Sequence, residues 1–155
     1  MTLTADAATS SRNHEAITGR PATDLLPAGL AMGMVTLRTV HLQVGDVETA
    51  RAFYVDELGF ESTARLGRSA LFVSAGGYHH HMAMNTWNST GVGPRRNTLG
   101  LGSVDIELPP GEGLGAVEDR LRTAGRTTRR TDRGLEVRDP WRTLLVLSEA
   151  AGADR

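Results

Sequence analysis

Val40-His-Leu-Gln-Val-Gly-Asp46 and Ala50-Arg-Ala-Phe-Tyr-Val-Asp-Glu-Leu-Gly-Phe60 are the two stretches that decide the fold. Apolar residues of the first stretch alternate with polar ones, which predicts a strand with one buried face. Apolar residues of the second recur every three to four positions, which predicts a helix. Asp46 is a suitable N-cap for this helix, and Gly59 is placed to end it in the left-handed conformation. The predicted domain therefore begins with a strand that is followed by a helix.

Three further strands complete this first unit. Short β-prone runs at Phe60 to Arg65 and at Ser69 to Ala75 are joined near Gly67. The pair Gly76-Gly77 then predicts a turn, and the following run, which contains three adjacent histidines, is interpreted as the last strand. The order of elements is β-α-β-β-β.

The same order begins again after a glycine-rich linker at residues 88–100. Val104, Ile106 and Leu108 repeat the alternation of the first strand, a helix is predicted from Leu114 to Ala124, and three short strands are predicted up to Leu147. We expect an α+β fold in which paired βαβββ repeats, at about residues 35–87 and 101–148, form a curved mixed sheet around a cleft. Helices would cover one face of each repeat and leave the other to line the cleft.

The repeats account for one domain, residues 34–150. Residues 1–33 are rich in Ala, Thr, Ser and Gly, contain Pro21 and Pro27, and show no sustained periodicity, so they are predicted to be a flexible N-terminal arm. Residues 151–155 form a short tail. A chain of 155 residues is long enough for one hydrophobic core and too short for two comfortable domains.

Composition excludes several classes of function. The formal net charge of −1 gives no electrostatic footprint for nucleic acid or for an anionic membrane surface. The chain has neither cysteine nor lysine, which removes thiolate chemistry, thiolate metal sites and side-chain Schiff bases. No segment resembles a signal peptide or a spanning helix, so we expect a cytoplasmic protein. Exposed sheet edges favour a homodimer, and the expected ligand is a small molecule.

The histidine run is the densest chemistry in the chain. If it is a strand, alternation places His79, His81 and Asn85 on the face that lines the cleft, and His80 on the opposite face. His41 faces the same cleft from the opening strand. Ser103, Asp105 and Glu107 do so from the second repeat. The predicted cleft is thus lined by imidazoles on one side and carboxylates on the other.

These stretches resemble the vicinal-oxygen-chelate superfamily, which contains glyoxalases, bleomycin-resistance proteins and extradiol dioxygenases. The likeness covers roughly residues 24–148 and includes the Asp139-Pro140 entry to the last strand. Ser74-Ala-Gly-Gly-Tyr-His-His-His81, followed by Asn85-Thr-Trp87, is similar to the C-terminal module of catechol-2,3-dioxygenase-like proteins. The resemblance implies the fold predicted above and a small-molecule site in the cleft.

The resemblance also implies where a metal would be held. In the dioxygenases two histidines and one carboxylate bind it, and the register of the repeats puts these positions at Thr39, Ser103 and Val146 of this chain. Valine cannot coordinate, and threonine and serine hydroxyls are poor ligands at neutral pH. We therefore expect no cofactor at the usual positions and do not transfer iron-dependent ring cleavage.

Three hypotheses about function remain. The first is a metal-independent lyase or isomerase that performs acid–base chemistry on an oxygenated or aromatic metabolite, because neutral histidine is the natural base at this pH. Its catalytic residues would be His41, His79, His81 and Asp105. Its substrate contacts would be Gln43, Asn85, Trp87, Ser103 and Glu107.

The second hypothesis is a protein that sequesters a small molecule, as resistance proteins of this fold do. The third is a metal-dependent lyase or dioxygenase with a shifted ligand set, in which His41, His81 and Asp105 bind iron, manganese or zinc. The polar lining favours an enzyme over sequestration, because capture of aromatic drugs relies on apolar and aromatic walls.

Overall fold

The computed structural model describes residues 2–5, 36–37, 39–96, 101–109 and 113–150, with side chains from residue 39 onward. Two short strands, β1 (Thr2–Ala5) and β2 (Thr36–Leu37), precede the first repeat. Most of the predicted N-terminal arm, and the predicted tail at 151–155, lie outside the described residues. β1 falls within the predicted arm and differs from that prediction, because its backbone pairs with two strands.

The first repeat contains one helix and four strands. The strand β3 (Val40–Gln43) leads into α1 (Val47–Arg51), which continues as a π-helical stretch (Ala52–Glu57). Three strands follow, β4 (Glu61–Leu66), β5 (Ala70–Ser74) and β6 (Met82–Asn85).

The second repeat has the same order. It consists of β7 (Ser103–Leu108), α2 (Leu114–Thr123), β8 (Thr128–Thr131), β9 (Gly134–Arg138) and β10 (Leu144–Glu149). Within each repeat the first strand lies beside the last, followed by the third and the second, and the first and last strands are parallel. The predicted paired βαβββ repeats and the α+β class are confirmed.

The strands form two mixed sheets. The first repeat forms a four-stranded sheet, in the order β3-β6-β5-β4, and the second forms a six-stranded sheet with β1 and β2, in the order β2-β1-β7-β10-β9-β8. The opening segment of the first predicted repeat, which begins at about residue 35, is therefore divided. Its first part, β2, pairs with β1 in the larger sheet, and its second part, β3, pairs with β6 in the smaller one.

The first helix begins and ends as its sequence predicts. The Asp46 side chain accepts a hydrogen bond of 2.8 Å from the backbone N–H of Thr49, which satisfies one of the free donors of the first turn. Near the other end the N–H of Leu58 bonds to the carbonyl of Phe53 at 3.0 Å, five residues back, which makes the last turns π-helical. Gly59 follows with φ of 93°, a left-handed conformation that glycine adopts without strain.

The helices pack on one face of each sheet and create the core. Phe53 and Tyr54 of the first helix are fully buried, as are Met82 and Met84 of β6. Burying each side chain of this size contributes about 1.5–3 kcal/mol, so this layer is the main source of stability in the first repeat. In the second repeat Leu121 of α2 belongs to the same continuous core.

The turn before β10 joins the two repeats. The buried carboxylate of Asp139 accepts a hydrogen bond of 3.0 Å from the Tyr54 hydroxyl of the first repeat. Its other oxygen accepts the backbone N–H groups of Trp141 and Thr143, at 2.9 and 2.7 Å. The Trp141 indole donates to the carbonyl of Val92 in the connecting segment, also at 2.9 Å. One turn thus touches both repeats and the segment between them.

Two arginines make a second connection between the repeats. Arg126 binds the Glu57 carboxylate with two hydrogen bonds of 2.7 Å, and its guanidinium lies 5.3 Å from the centre of the Phe53 ring. Arg120 of α2 donates to the carbonyls of Glu57 and Leu58 at the end of the first helix.

Within the described part of the chain, no helix is long and apolar enough to cross a membrane.

Candidate functional site

The four-stranded sheet leaves one face free of the helix, which we call the open face. Strand register arranges its side chains in rows. One row joins His41, Ala83 and Phe72, and the next joins Gln43 and Asn85 with Ala70. The His41 and Gln43 side chains are exposed, whereas their strand neighbours Val40 and Leu42 are buried against the helix. The alternation predicted for β3 is therefore present, and His41 occupies the predicted face.

The histidine run is a loop and not part of a strand. β6 begins at Met82, and Gly76 and Gly77 both have positive φ, 65° and 74°. Because the loop is not extended, strand alternation does not govern its side chains. The prediction that the histidine run is a strand is therefore wrong for His79 and His80. The backbone of His81 already bonds to both neighbouring strands, because its N–H donates to the Val73 carbonyl and its carbonyl accepts the N–H of Val40, each at 2.9 Å.

His80 is the histidine that the fold brings to His41. Its ring centre lies 6.2 Å from that of His41 and 5.2 Å from that of Phe72, so the imidazole lies beside both rings of this row. Burial lowers the pKa of His80, and the nearby His79 and His41 lower it further. The lowered pKa favours the neutral form of the imidazole. Sequence reasoning missed this residue, although the two preceding glycines were a signal that the run could leave the sheet.

His81 has a different set of contacts. Its Nδ1 lies 3.0 Å from the hydroxyl of buried Ser74 and 3.4 Å from the backbone nitrogen of Ala75. An N–H donated by Ala75 makes Nδ1 an acceptor and leaves the ring proton on Nε2. Burial also lowers the pKa of His81. His81 thus serves to anchor the loop to the end of β5.

His79 is exposed at the surface of the same cluster. Its ring centre lies 4.2 Å from that of His80 and 4.4 Å from that of Tyr78. The Tyr78 ring also lies 4.9 Å from His81. The imidazole cluster therefore consists of His41, His79 and His80, and the Tyr78 ring lies beside both His79 and His81.

Asp105 lies on the helix-free face of the six-stranded sheet and is already paired. Both of its oxygens lie 2.9 Å from one guanidinium nitrogen of Arg133, and the Ser103 hydroxyl is 3.4 Å away. Among the described side chains none of its hydrogen bonds goes to a histidine. In the same row, two strands away, Glu136 is bound by Arg129, which lowers the pKa of the Glu136 carboxyl. This face consists of acid–arginine pairs.

The predicted substrate contacts lie in different environments. Asn85 is buried in the open face and Gln43 is exposed beside it. Trp87 is 62% exposed in the turn after β6. Ser103 is buried and Glu107 is exposed on β7. The structure therefore assembles His41, Gln43 and Asn85, and it places the carboxylates on the other sheet.

The positions implied for a metal carry no suitable set of donors. Val146 is buried and has no donor atom, Ser103 directs its hydroxyl at Asp105, and Thr39 precedes β3. The shifted set is not gathered either, because His81 contacts Ser74 and Asp105 is paired with an arginine. In the described ranges no three His, Asp or Glu side chains are grouped as metal ligands would be. The usual metal does not fit these residues.

A cavity of about 190 Å³ lies elsewhere, between the repeats. Its walls include Leu58, Phe60, Leu108 and Val117. Its one charged lining residue, Arg120, already binds the carbonyls at the end of the first helix. The cavity therefore offers apolar surface without a free reactive group, and the open face carries the chemistry.

Comparison with known sequences gives one family. A model of the Glyoxalase/Bleomycin resistance protein/Dioxygenase superfamily matches residues 36–145. A Bacillus subtilis (strain 168) protein named catechol-2,3-dioxygenase is 43% identical over 103 residues, which is 65% of this chain and 36% of the relative. This chain thus matches little more than a third of the length of that curated relative.

Solved structures show the same fold. A lactoylglutathione lyase from Agrobacterium tumefaciens is similar with a TM-score of 0.53 and 18% identity, over 74% of this chain and 92% of that one. The trypanothione-dependent glyoxalase I of Leishmania major has a TM-score of 0.56 and 17% identity, over 72% and 84% of the two chains. At these identities the likeness concerns the fold alone.

Proposed function

The chain belongs to the glyoxalase, bleomycin resistance protein and dioxygenase superfamily, and from this membership we propose that it is an enzyme performing acid–base chemistry on a small oxygenated or aromatic metabolite. The reaction class is isomerisation, cyclisation or elimination. In each, a base removes a proton from one atom of the substrate, and an acid delivers a proton to another atom of the substrate or to the group that leaves. The observation that carries the proposal is the position of His80, which lies between Phe72 and His41 on the open face with its pKa lowered.

Each residue of the open face has a proposed role. His80 is neutral and so can accept a proton from a substrate carbon next to a carbonyl or hydroxyl group. His41, on the neighbouring strand, can donate or exchange a proton on the same side of the substrate. Phe72 supplies a flat apolar contact for a ring. Gln43 and Asn85, in the adjacent row, orient the substrate by hydrogen bonds.

This assignment revises the predicted catalytic set. His80 takes the catalytic role predicted for His79 and His81, because His79 lies outside the row and His81 anchors the loop. Asp105 has no proposed catalytic role, since its carboxylate is held by Arg133 on the other sheet. Thr39, Ser103 and Val146 offer no set of donors that fits the usual metal.

Two substitutions test the proposal. With tag-free protein and a panel of hydroxylated aromatic and 2-oxo compounds, His80→Gln should reduce turnover about 100-fold or more, because a general base contributes at least that much. Substrate affinity should change little. His41→Gln should also slow turnover, whereas His79→Gln, at the exposed rim, should slow it least. Unchanged turnover in both His80→Gln and His41→Gln would reject the assignment.

The same experiment addresses the other functions. Tight binding without turnover of any compound in the wild type would favour the sequestering protein. Turnover that follows bound iron, manganese or zinc in metal analysis of the purified protein, and that chelator abolishes, would favour the dioxygenase-like alternative named by the Bacillus relative.

We also propose a homodimer. β4 is an outer strand of the smaller sheet, and all six of its residues are exposed. An uncovered edge strand is a ready site for pairing with another chain. Sedimentation equilibrium that gives twice the chain mass would support the dimer, and a monomer at micromolar concentration would exclude it.

A further inference from the structure

Asn85 has an unusual position on the open face. Its side chain is 6% exposed, and its Oδ1 is the one buried side-chain polar atom in the described part of the chain that has no hydrogen-bond partner. Other buried polar side chains are satisfied, as Ser89 and Asp139 show. A buried acceptor without a donor loses its bond to water and gains nothing in return. The unpaired amide oxygen therefore lowers the stability of the protein when no ligand is bound.

The fold does not need this amide. Strand β6 uses the backbone of Asn85, whose carbonyl accepts the N–H of Val44 at 2.8 Å and the Ser89 hydroxyl at 3.3 Å. The side chain adds nothing to these bonds. An apolar residue of the same size would fill the space without the unpaired atom. The position therefore carries a side-chain acceptor that the hydrogen bonds of the fold leave unused.

The surroundings of the amide indicate what could reach it. Its neighbours across the sheet are Gln43 and Ala70, and Ala83 lies one row away on the same strand. The two alanines present only methyl groups, so the amide stands beside the shortest side chains of the face. Rows on one face are two residues apart, about 7 Å along a strand. The amide therefore lies about one small ring from the row of His41, which His80 covers.

Building on the proposed function, we infer that Asn85 Oδ1 accepts a hydrogen bond from a hydroxyl or N–H group of the ligand. The ligand class is then a molecule of about one six-membered ring, with a neutral donor at one end and the reacting atom at the other. Asn85 is therefore a specificity-determining residue. A ligand whose donor oxygen or nitrogen carries a methyl group in place of the hydrogen would leave Asn85 Oδ1 unpaired and would place a methyl group beside it.

A matched pair of probes tests this inference. p-Cresol and 4-methylanisole differ in the hydroxyl hydrogen that the amide would accept. In titrations of ¹⁵N-labelled wild type, p-cresol should bind about tenfold more tightly and shift the Asn85 side-chain amide resonances. In Asn85→Leu the preference should fall to about one. Asn88→Leu, an exposed asparagine in the next turn, is the control and should keep it.

Stability provides the second readout. Because Leu removes a buried unpaired acceptor, Asn85→Leu should melt at the same temperature as the wild type or higher. A melting temperature well below that of Asn88→Leu would show a supporting role in the fold and count against the inference. A retained tenfold preference in Asn85→Leu would overturn it, as would equal affinity of the wild type for both probes or no binding of p-cresol at tens of millimolar.

The failure of the proposed function would look different. If His80→Gln leaves turnover unchanged, the catalytic assignment is wrong, yet the preference for p-cresol stays as predicted. If turnover depends on His80 while the wild type binds both probes equally, the recognition role of Asn85 is wrong and the catalytic assignment stands.

Discussion

Removing one hydroxyl group should weaken the junction between the repeats. Tyr54→Phe keeps the ring in the core and deletes the donor that lies 3.0 Å from Asp139. The other Asp139 oxygen keeps its two backbone donors, so the loss is one hydrogen bond to a buried carboxylate. Such a bond contributes about 1.5–3 kcal/mol, and the expected loss of unfolding free energy is about 2 kcal/mol.

Urea unfolding followed by tryptophan fluorescence measures this loss. With a slope of about 2 kcal/mol per molar urea, the midpoint should fall by about 1 M while the slope stays the same. The other tyrosine of the chain supplies the control, because Tyr78 is 38% exposed and Tyr78→Phe should change stability by less than about 0.5 kcal/mol. Equal midpoints for the two variants would refute the view that the Tyr54 hydroxyl holds the repeats together.

Other substitutions test local features. Gly45→Ala should lower the unfolding free energy by about 1–3 kcal/mol or more, because a Cβ there would lie 2.1 Å from the carbonyl oxygen of Val92. A Cβ at Gly93 would meet nothing within 4 Å, so Gly93→Ala is the control and should be near neutral when urea midpoints are compared. Asp46→Ala removes the N-cap of the first helix and should lower the unfolding free energy by about 1 kcal/mol, measured in the same way. Burial lowers the pKa of His80 below its unfolded value of about 6.5, so the unfolded chain binds more protons than the folded one in mild acid. The contribution of His80 to the unfolding free energy should therefore be fully present above pH 6.5 and be lost as the pH drops through the folded pKa. His80→Gln should flatten that part of the profile of midpoint against pH, and an unchanged profile would contradict the shift.

Periodicity was sufficient to predict the fold. The alternation in Val40–Gln43 and Ser103–Leu108 and the capped helix between Asp46 and Gly59 all lie where the pattern placed them, because each buries a regular apolar stripe against one core. The division of the opening segment of the first repeat between two sheets could not be predicted in this way. Thr36–Leu37 and Val40–Gln43 have the same pattern, and only their pairing partners differ.

The candidate site was harder to predict for a related reason. The predicted placement of His41 depended on a strand and is present, whereas that of His79 and His81 assumed a strand where two left-handed glycines form a loop. The pairing of charged side chains could also not be predicted from the sequence. Asp105 lies on β7 and Arg133 lies 28 positions later in the turn between β8 and β9, and only the folded sheet brings them together. Local patterns predict which residues share a face, but loops and long-range pairs decide which of them meet.

The contacts between the repeats also determine how the chain folds. Tyr54 bonds to a residue 85 positions later, and Glu57 receives Arg126 from 69 positions later. Contacts at such separations form only after long segments have been ordered, which makes folding slow and requires both repeats at once. Neither half can complete its own polar contacts alone. Although the sequence repeats, the protein should therefore unfold as a single cooperative unit and show one transition.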